Sequence, residues 1–158
     1  KRLFGTDGIR GAAGEYPLDP PTVERLGWAL SQALPRRGEP QRFLVGRDPR
    51  ESGPEIEAAL LRGLTAGGAE GKSSGVLTTP AIAFLTKTGK FDAGIVISAS
   101  HNQFSDNGIK VFSRYGFKLS DAYEERVESL MPRLPITIRS ISWSSLNSTI
   151  MRAGPPPM

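Results

Sequence analysis

Ala93-Gly94-Ile95-Val96-Ile97 constrains this 158-residue chain more than any other stretch. It is apolar at every position and carries three β-branched side chains in a row, so it reads as a strand buried on both faces. A strand of that kind belongs in the middle of a sheet covered by helices above and below. A little further on, Ile109-Lys110-Val111-Phe112 makes a second apolar strand. Between them lies the polar loop Ser98-Ala99-Ser100-His101-Asn102-Gln103-Phe104-Ser105. Asp106-Asn107-Gly108 follows it and carries a turn signal, because Asn and Gly tolerate positive φ. A reversal there brings Lys110 back toward Ser100, so that a hydroxyl and an ammonium share one mouth.

The remaining periodicity supplies the covering helices. Val23, Leu26, Leu30, Ala33 and Leu34 recur at helical spacing and predict a helix over 22–34, with Pro20 and Pro21 before it and Pro35 after it. Arg42-Phe43-Leu44-Val45 is a strand that runs into Gly46-Arg47-Asp48, and 51–65 is a second helix with Glu51, Glu55 and Glu57 near its positive end. Thr79 caps a third helix that begins at Pro80 and runs to about Lys87, and Asp121 caps a fourth that ends near Met131. Arg114 to Lys118 makes a hairpin, and Lys1 to Phe4 a short strand leading into the turn Gly5-Thr6-Asp7-Gly8. Residues 67–77 are weak as a strand, since Gly71-Lys72-Ser73-Ser74 offers nothing to bury; only Gly75 to Leu77 is expected to pair. Strands and helices in this alternation predict an α/β protein, a three-layer α/β/α sandwich with a small mixed, mostly parallel sheet spanning residues 1–131.

From about Pro132 the chain changes character. Ser and Thr become dense, acids disappear and Pro155-Pro156-Pro157 comes near the end, a composition expected of a flexible tail and compatible with a truncated or frame-altered product. The tail also explains the high sequence pI of about 9.7. Arg133, Arg139 and Arg152 stand there without a single acid, whereas the chain before residue 129 is nearly balanced. No run of Lys and Arg interleaved with aromatics tracks a groove, so nucleic acid is not an expected partner. No apolar run reaches the length of a membrane span, there is no cysteine, and a cytoplasmic location with no membrane partner is the expectation.

The loop's chemistry points to phosphate and away from hydrolysis. A serine hydrolase needs a Gly-x-Ser-x-Gly elbow and a histidine brought from elsewhere in the fold. The chain has one histidine, His101, and it is the immediate neighbour of Ser100, where adjacent side chains of an extended loop point apart. A serine that accepts and returns a phosphoryl group needs cationic partners, and Lys110 can supply one. Arg10, just past the first turn, reads on its own more readily as a surface residue than as a site cation. Arg47, Asp48 and Arg50 lie at a strand-to-helix junction, where such charges more often build an ion-paired loop than a binding site.

Ser98-Ala99-Ser100-His101-Asn102 followed by Asp106-Asn107-Gly108-Ile109-Lys110 resembles the phosphoserine loop of the α-D-phosphohexomutases. Phe4-Gly5-Thr6-Asp7-Gly8-Ile9-Arg10-Gly11 resembles that family's first motif, and Gly46-Arg47-Asp48-Pro49-Arg50-Glu51-Ser52-Gly53 and Gly75-Val76-Leu77-Thr78-Thr79-Pro80-Ala81 match in order and spacing. The likeness covers roughly residues 2–130, is nearest in wording to the bacterial phosphoglucosamine mutases, and corresponds to the first of the family's four domains. One residue departs from the pattern: Gln103 stands where the family usually has proline, which removes a φ restraint from the loop.

The resemblance implies that Ser100 carries the transferred phosphate, that Lys110 and Arg10 act on it, and that His101, Asn102 and Asp106 support the loop. It implies an isomerase that converts glucosamine 6-phosphate to glucosamine 1-phosphate, or a phosphomannomutase or phosphoglucomutase that uses the same loop. A sugar bisphosphate would be the activator. Mg²⁺ would contact Ser100 through its phosphate, with the remaining ligands in a second domain that this chain lacks. The other expectation is an inactive α/β fragment that binds anions or a partner polypeptide.

Overall fold

The apolar run at Ala93–Ile97 is the middle strand of a five-stranded sheet and is buried at all five positions. The computed structural model describes residues 3–131; Lys1, Arg2 and the tail expected at 132–158 lie outside them. In chain order the elements are β1 (Ile9–Ala12), α1 (Pro20–Ala33), β2 (Gln41–Arg47), α2 (Gly53–Ala66), β3 (Ala69–Val76), α3 (Thr79–Thr88), β4 (Ala93–Ile97), β5 (Asp106–Ser113) and α4 (Asp121–Leu130). The strand order is β1-β5-β4-β2-β3. β2 pairs in parallel with β3 and β4, while β5 is antiparallel to both β4 and β1. β5 alone therefore runs against the others, giving the mixed, mostly parallel sheet expected.

Alternation along the strands sorts the core into two layers. Phe43, Val45, Ile95, Ile97, Ile109 and Val111 face Leu26 and Leu30 of α1, Leu60 and Leu64 of α2 and Val127 of α4. Leu44 and Val96 face the other way, against Ile82 of α3 and Phe91. The sandwich is thus lopsided, with three helices on one face and α3 on the other. α1 and α2 touch backbone to backbone: a Cβ on Gly63 would collide with the carbonyl oxygen of Glu24.

Several local expectations are corrected. β3 forms over Ala69–Val76, well beyond the short Gly75–Leu77 segment expected. It is an edge strand whose stability comes from its ladder with β2, and of its two glycines Gly71 lies close under α2, where a Cβ would meet the Leu61 side chain. There is no strand at Leu3 and Phe4; their amides donate to Glu128 Oε1 at 3.0 and 2.8 Å, and β1 follows the turn instead of preceding it.

Helix caps sit one residue earlier than expected. Thr78 accepts from the Ala81 amide and Ser120 from the Tyr123 amide, because a capping oxygen must reach the third amide of its helix. Asp19 likewise caps α1, and the two prolines thought to precede that helix form its first turn. The hairpin at Arg114 to Lys118 is present, closed by Ser113 N–H to the Phe117 carbonyl at 2.7 Å.

Candidate functional site

Because β2 and β4 are parallel, the loops after them emerge at the same end of the sheet. The Asp48 amide donates to the Ile97 carbonyl at 3.0 Å, tying the end of β2 to the start of the loop. Asp106, Asn107 and Gly108 are not the turn. They belong to β5, opposite Ala12, Gly11 and Arg10 of β1. Ladder bonds, and a bond from Asn107 Nδ2 to Ser52 Oγ at 2.8 Å, outweigh their local turn preference. The reversal happens earlier, within 98–105, and the loop residue with positive φ is Ser100 itself, at 54°. Its amide donates to Ser98 Oγ at 3.1 Å.

The geometric consequence expected of the reversal nonetheless holds. Lys110, on β5, donates from Nζ to Ser100 Oγ at 3.0 Å. Arg10, on β1, donates from one terminal nitrogen to the Ala99 carbonyl at 3.1 Å and to Asn102 Oδ1 at 2.8 Å. Its other terminal nitrogen meets Asp7 Oδ2 at 2.7 Å, and its buried Nε has no partner among the described residues. Asp106 lies 3.5 Å from Asn102 Nδ2. The bonds joining the cluster run through Arg10, Lys110, Asn102 and Arg50 and leave the exposed His101 ring out. Ser100, Lys110, Arg10, Asn102 and Asp106 are thus brought together, and His101 only flanks them.

Two residues of the site were not legible as such. Asp7 pairs with both cations, at 2.7 Å from Arg10 and 3.3 Å from Lys110. Slight loss of water pushes its carboxyl upward, but the hydrogen bond from Lys110 and the charges of Lys110 and Arg10 outweigh this and hold it below the usual carboxylate range. Its three-residue spacing from Arg10 was the available signal. Arg50 is the other. It pairs with Asp48 at 3.2 Å, and Arg47 pairs with Glu57 at 3.1 Å, so the ion-paired reading of that junction was sound. Arg50 also reaches across to the loop carbonyls. The carbonyl of Gln103, the departing residue, accepts from both Arg50 and the Asp106 amide, so this position is tied through its backbone.

The residues near Ser100 do not make a Mg²⁺ site by themselves. No group of three or more His, Cys, Asp or Glu is gathered among the described residues, and Asp7 is already shared between two cations. A hard divalent cation needs more oxygen ligands than a single phosphate would offer here. No helix among the described residues is long and apolar enough to cross a membrane.

Comparison with known proteins places these features. The chain is 54% identical over 129 residues to a phosphoglucosamine mutase of Koribacter versatilis, which covers 82% of this chain and 28% of that protein. It is 46% identical over 154 residues to a phosphoglucosamine mutase of Yersinia pestis, covering 98% of this chain and 34% of the relative. That second likeness extends past the boundary near residue 130 expected from the motifs. Among solved structures, a phosphoglucomutase/phosphomannomutase family protein from Burkholderia thailandensis superposes with a TM-score of 0.68 at 28% identity, over 82% of this chain and 30% of that one. The chain therefore spans about a third or less of the length of these relatives. Residues 1–135 match the model of the phosphoglucomutase/phosphomannomutase family's alpha/beta/alpha domain I, and the chain belongs to that family.

Proposed function

We propose that this chain is the phosphoserine-bearing domain of a cytoplasmic hexosamine-phosphate mutase, with Ser100 as the group that gives and takes the phosphate. The observation that carries the reading is the 3.0 Å hydrogen bond from Lys110 Nζ to Ser100 Oγ, made with Ser100 at positive φ. In the transfer, a sugar hydroxyl attacks the phosphorus, a new P–O bond forms and the P–Oγ bond breaks with its electron pair going to Oγ. Overall a proton passes from the hydroxyl to Oγ, and Lys110, already bonded to Oγ, stabilises the negative charge that develops there. Arg10 adds a second positive charge beside that position, since its terminal nitrogen is bonded to the Ala99 carbonyl and to Asn102 of the same loop. Asn102 orients Arg10, and Asp106 steadies Asn102.

Glucosamine 6-phosphate and glucosamine 1-phosphate are the proposed substrate and product, supported by the phosphoglucosamine mutases to which the chain is 46% and 54% identical. Glucose and mannose phosphates are the alternatives, since the Burkholderia neighbour's name carries both activities. A sugar bisphosphate is the proposed activator. Mg²⁺, the sugar-selecting groups and the remaining phosphate contacts are assigned to downstream domains, because these residues do not supply them.

The test is a chimera in which residues 1–131 replace the matching segment of the Koribacter versatilis relative. After incubation with glucose 1,6-bisphosphate, peptide mass spectrometry should place phosphate on the Ser100 peptide, with Ser98 and Ser105 as internal controls. Phosphate retained in Ser100→Ala refutes the assignment. A folded chimera that takes no phosphate favours the inactive, anion-binding reading.

A further inference from the structure

We propose that Arg50 is the positioning residue of the Ser100 loop, a guanidinium that holds the backbone in the shape from which Ser100 faces Lys110. The proposal rests on the reading of Ser100 as the reactive serine, but its test does not. A guanidinium has five N–H donors. In Arg50 all five are spent: Nε on Asp48 Oδ2, one terminal nitrogen on the carbonyls of Gln103 and Asp106, the other on the carbonyls of Ser100 and Asn102. Four of these acceptors are backbone carbonyls of one short segment, at 2.9 Å for Ser100, 3.1 Å for Asn102 and 3.0 Å for Asp106. The Arg50 side chain is only 10% exposed, and its own amide donates to Asp48 Oδ1 at 3.2 Å, so the Asp48 carboxylate fixes it at both ends.

This arrangement addresses a specific difficulty. Ser100 has φ of 54°, a left-handed conformation that residues with a Cβ rarely adopt. Such a conformation persists where the surroundings over-determine it. The loop around it is exposed from Ser100 to Ser105 and has no apolar core of its own, so hydrophobic packing cannot do this. Arg10 holds one carbonyl, that of Ala99, but its remaining contacts point to Asp7 and Asn102. Arg50 is the group that converges on the carbonyls on both sides of the reversal. Lysine, with three donors on a single nitrogen, cannot occupy four carbonyls and a carboxylate in that planar pattern.

The experiment uses the labelled 158-residue chain with Arg50→Lys and Arg50→Gln, and Arg47→Gln as a control at the neighbouring ion pair. In both Arg50 variants the Asn102 and Asp106 amides, which donate to the Ala99 and Gln103 carbonyls, should exchange with solvent faster by about 10- to 150-fold, the factor that corresponds to losing a hydrogen bond to a charged group. Ser100 should lose the Cα and Cβ shifts of a left-handed residue. Exchange of the β4 amides should stay as in the unaltered chain, and Arg47→Gln should leave the loop alone. A Ser100 that keeps its left-handed shifts in Arg50→Lys overturns the proposal. Equal loosening of loop and β4, or failure of both variants to fold, overturns it too, because Arg50 would then support the fold at large. A loosened loop together with a Ser100 that takes no phosphate in the chimera refutes the functional reading and leaves this one standing.

Discussion

Asp7→Asn should tighten anion binding beside Ser100. Asp7 Oδ2 and Ser100 Oγ both contact Lys110 Nζ, at 3.3 and 3.0 Å. The two oxygens are therefore no farther apart than roughly 6 Å, where a unit charge pair is worth about 0.7 kcal/mol in bulk water and about 2.8 kcal/mol at an effective dielectric of 20. The Asp7 side chain is 61% exposed, so the value in water is the relevant one. Divalent sulfate at the Ser100 position then gains about 1.4 kcal/mol when the carboxylate is removed, close to tenfold in affinity. At an ionic strength of 0.15 M, screening over this distance should reduce the gain to about threefold. Sulfate titration of the 158-residue chain, followed through the Ser100, Asn102 and Lys110 amide resonances, measures it. The pH dependence has a definite sign. The Asp7 carboxyl is held low in the folded chain, so it stays charged at neutral pH, and its contribution to stability is present above the usual value of 3.8 and lost only as acid protonates the folded form. The difference in sulfate affinity between the unaltered chain and Asp7→Asn should hence be constant from pH 7 to pH 5 and shrink only at more acid pH. An Asp7→Asn chain with unchanged sulfate affinity at low salt, or with shifts centred away from Ser100, refutes the electrostatic reasoning.

Lys110→Ala and Arg10→Ala in the chimera should each lower mutase turnover by on the order of 10² to 10³ with the fold intact by circular dichroism; near-normal turnover would return both to the surface. The isolated chain should fold yet show no glucosamine 1-phosphate formation above a Ser100→Ala blank in a coupled assay with Mg²⁺ and bisphosphate, since no group of three or more metal-ligating side chains is gathered among the described residues. Gly63→Ala should cost about 3 kcal/mol in urea denaturation, because its Cβ meets the backbone of Glu24 and neither helix can yield cheaply. Gly38→Ala, with open space around it, should change stability by less than about 0.5 kcal/mol; equal costs at the two sites would show that α1 and α2 are not in close contact.

Ala93–Ile97 by itself determined the centre of this protein. Its five apolar positions demanded cover on both faces, and helical periodicity elsewhere supplied that cover, so the layered fold and the loop at the strand's end followed from hydrophobic pattern alone. Part of the candidate site was also legible, through the resemblance of its motifs: Ser100, Lys110, Arg10, Asn102 and Asp106 do converge, whereas Asp7 and Arg50 were not read as members. Tertiary structure decided what depends on partners distant in sequence. Asp106-Asn107-Gly108 has turn chemistry and forms a strand because β1 offers it a ladder. Gly71-Lys72-Ser73-Ser74 lacks strand character and pairs because β2 lies beside it and supplies the ladder. Arg50 reads as half of a local ion pair with Asp48, and its bonds to the Ser100 loop, more than fifty positions away for Asp106, exist only once β2 and β4 lie side by side. Local patterns register burial and capping. A guanidinium that serves a remote backbone leaves no mark on the residues around it, because its acceptors are carbonyl groups that every residue carries.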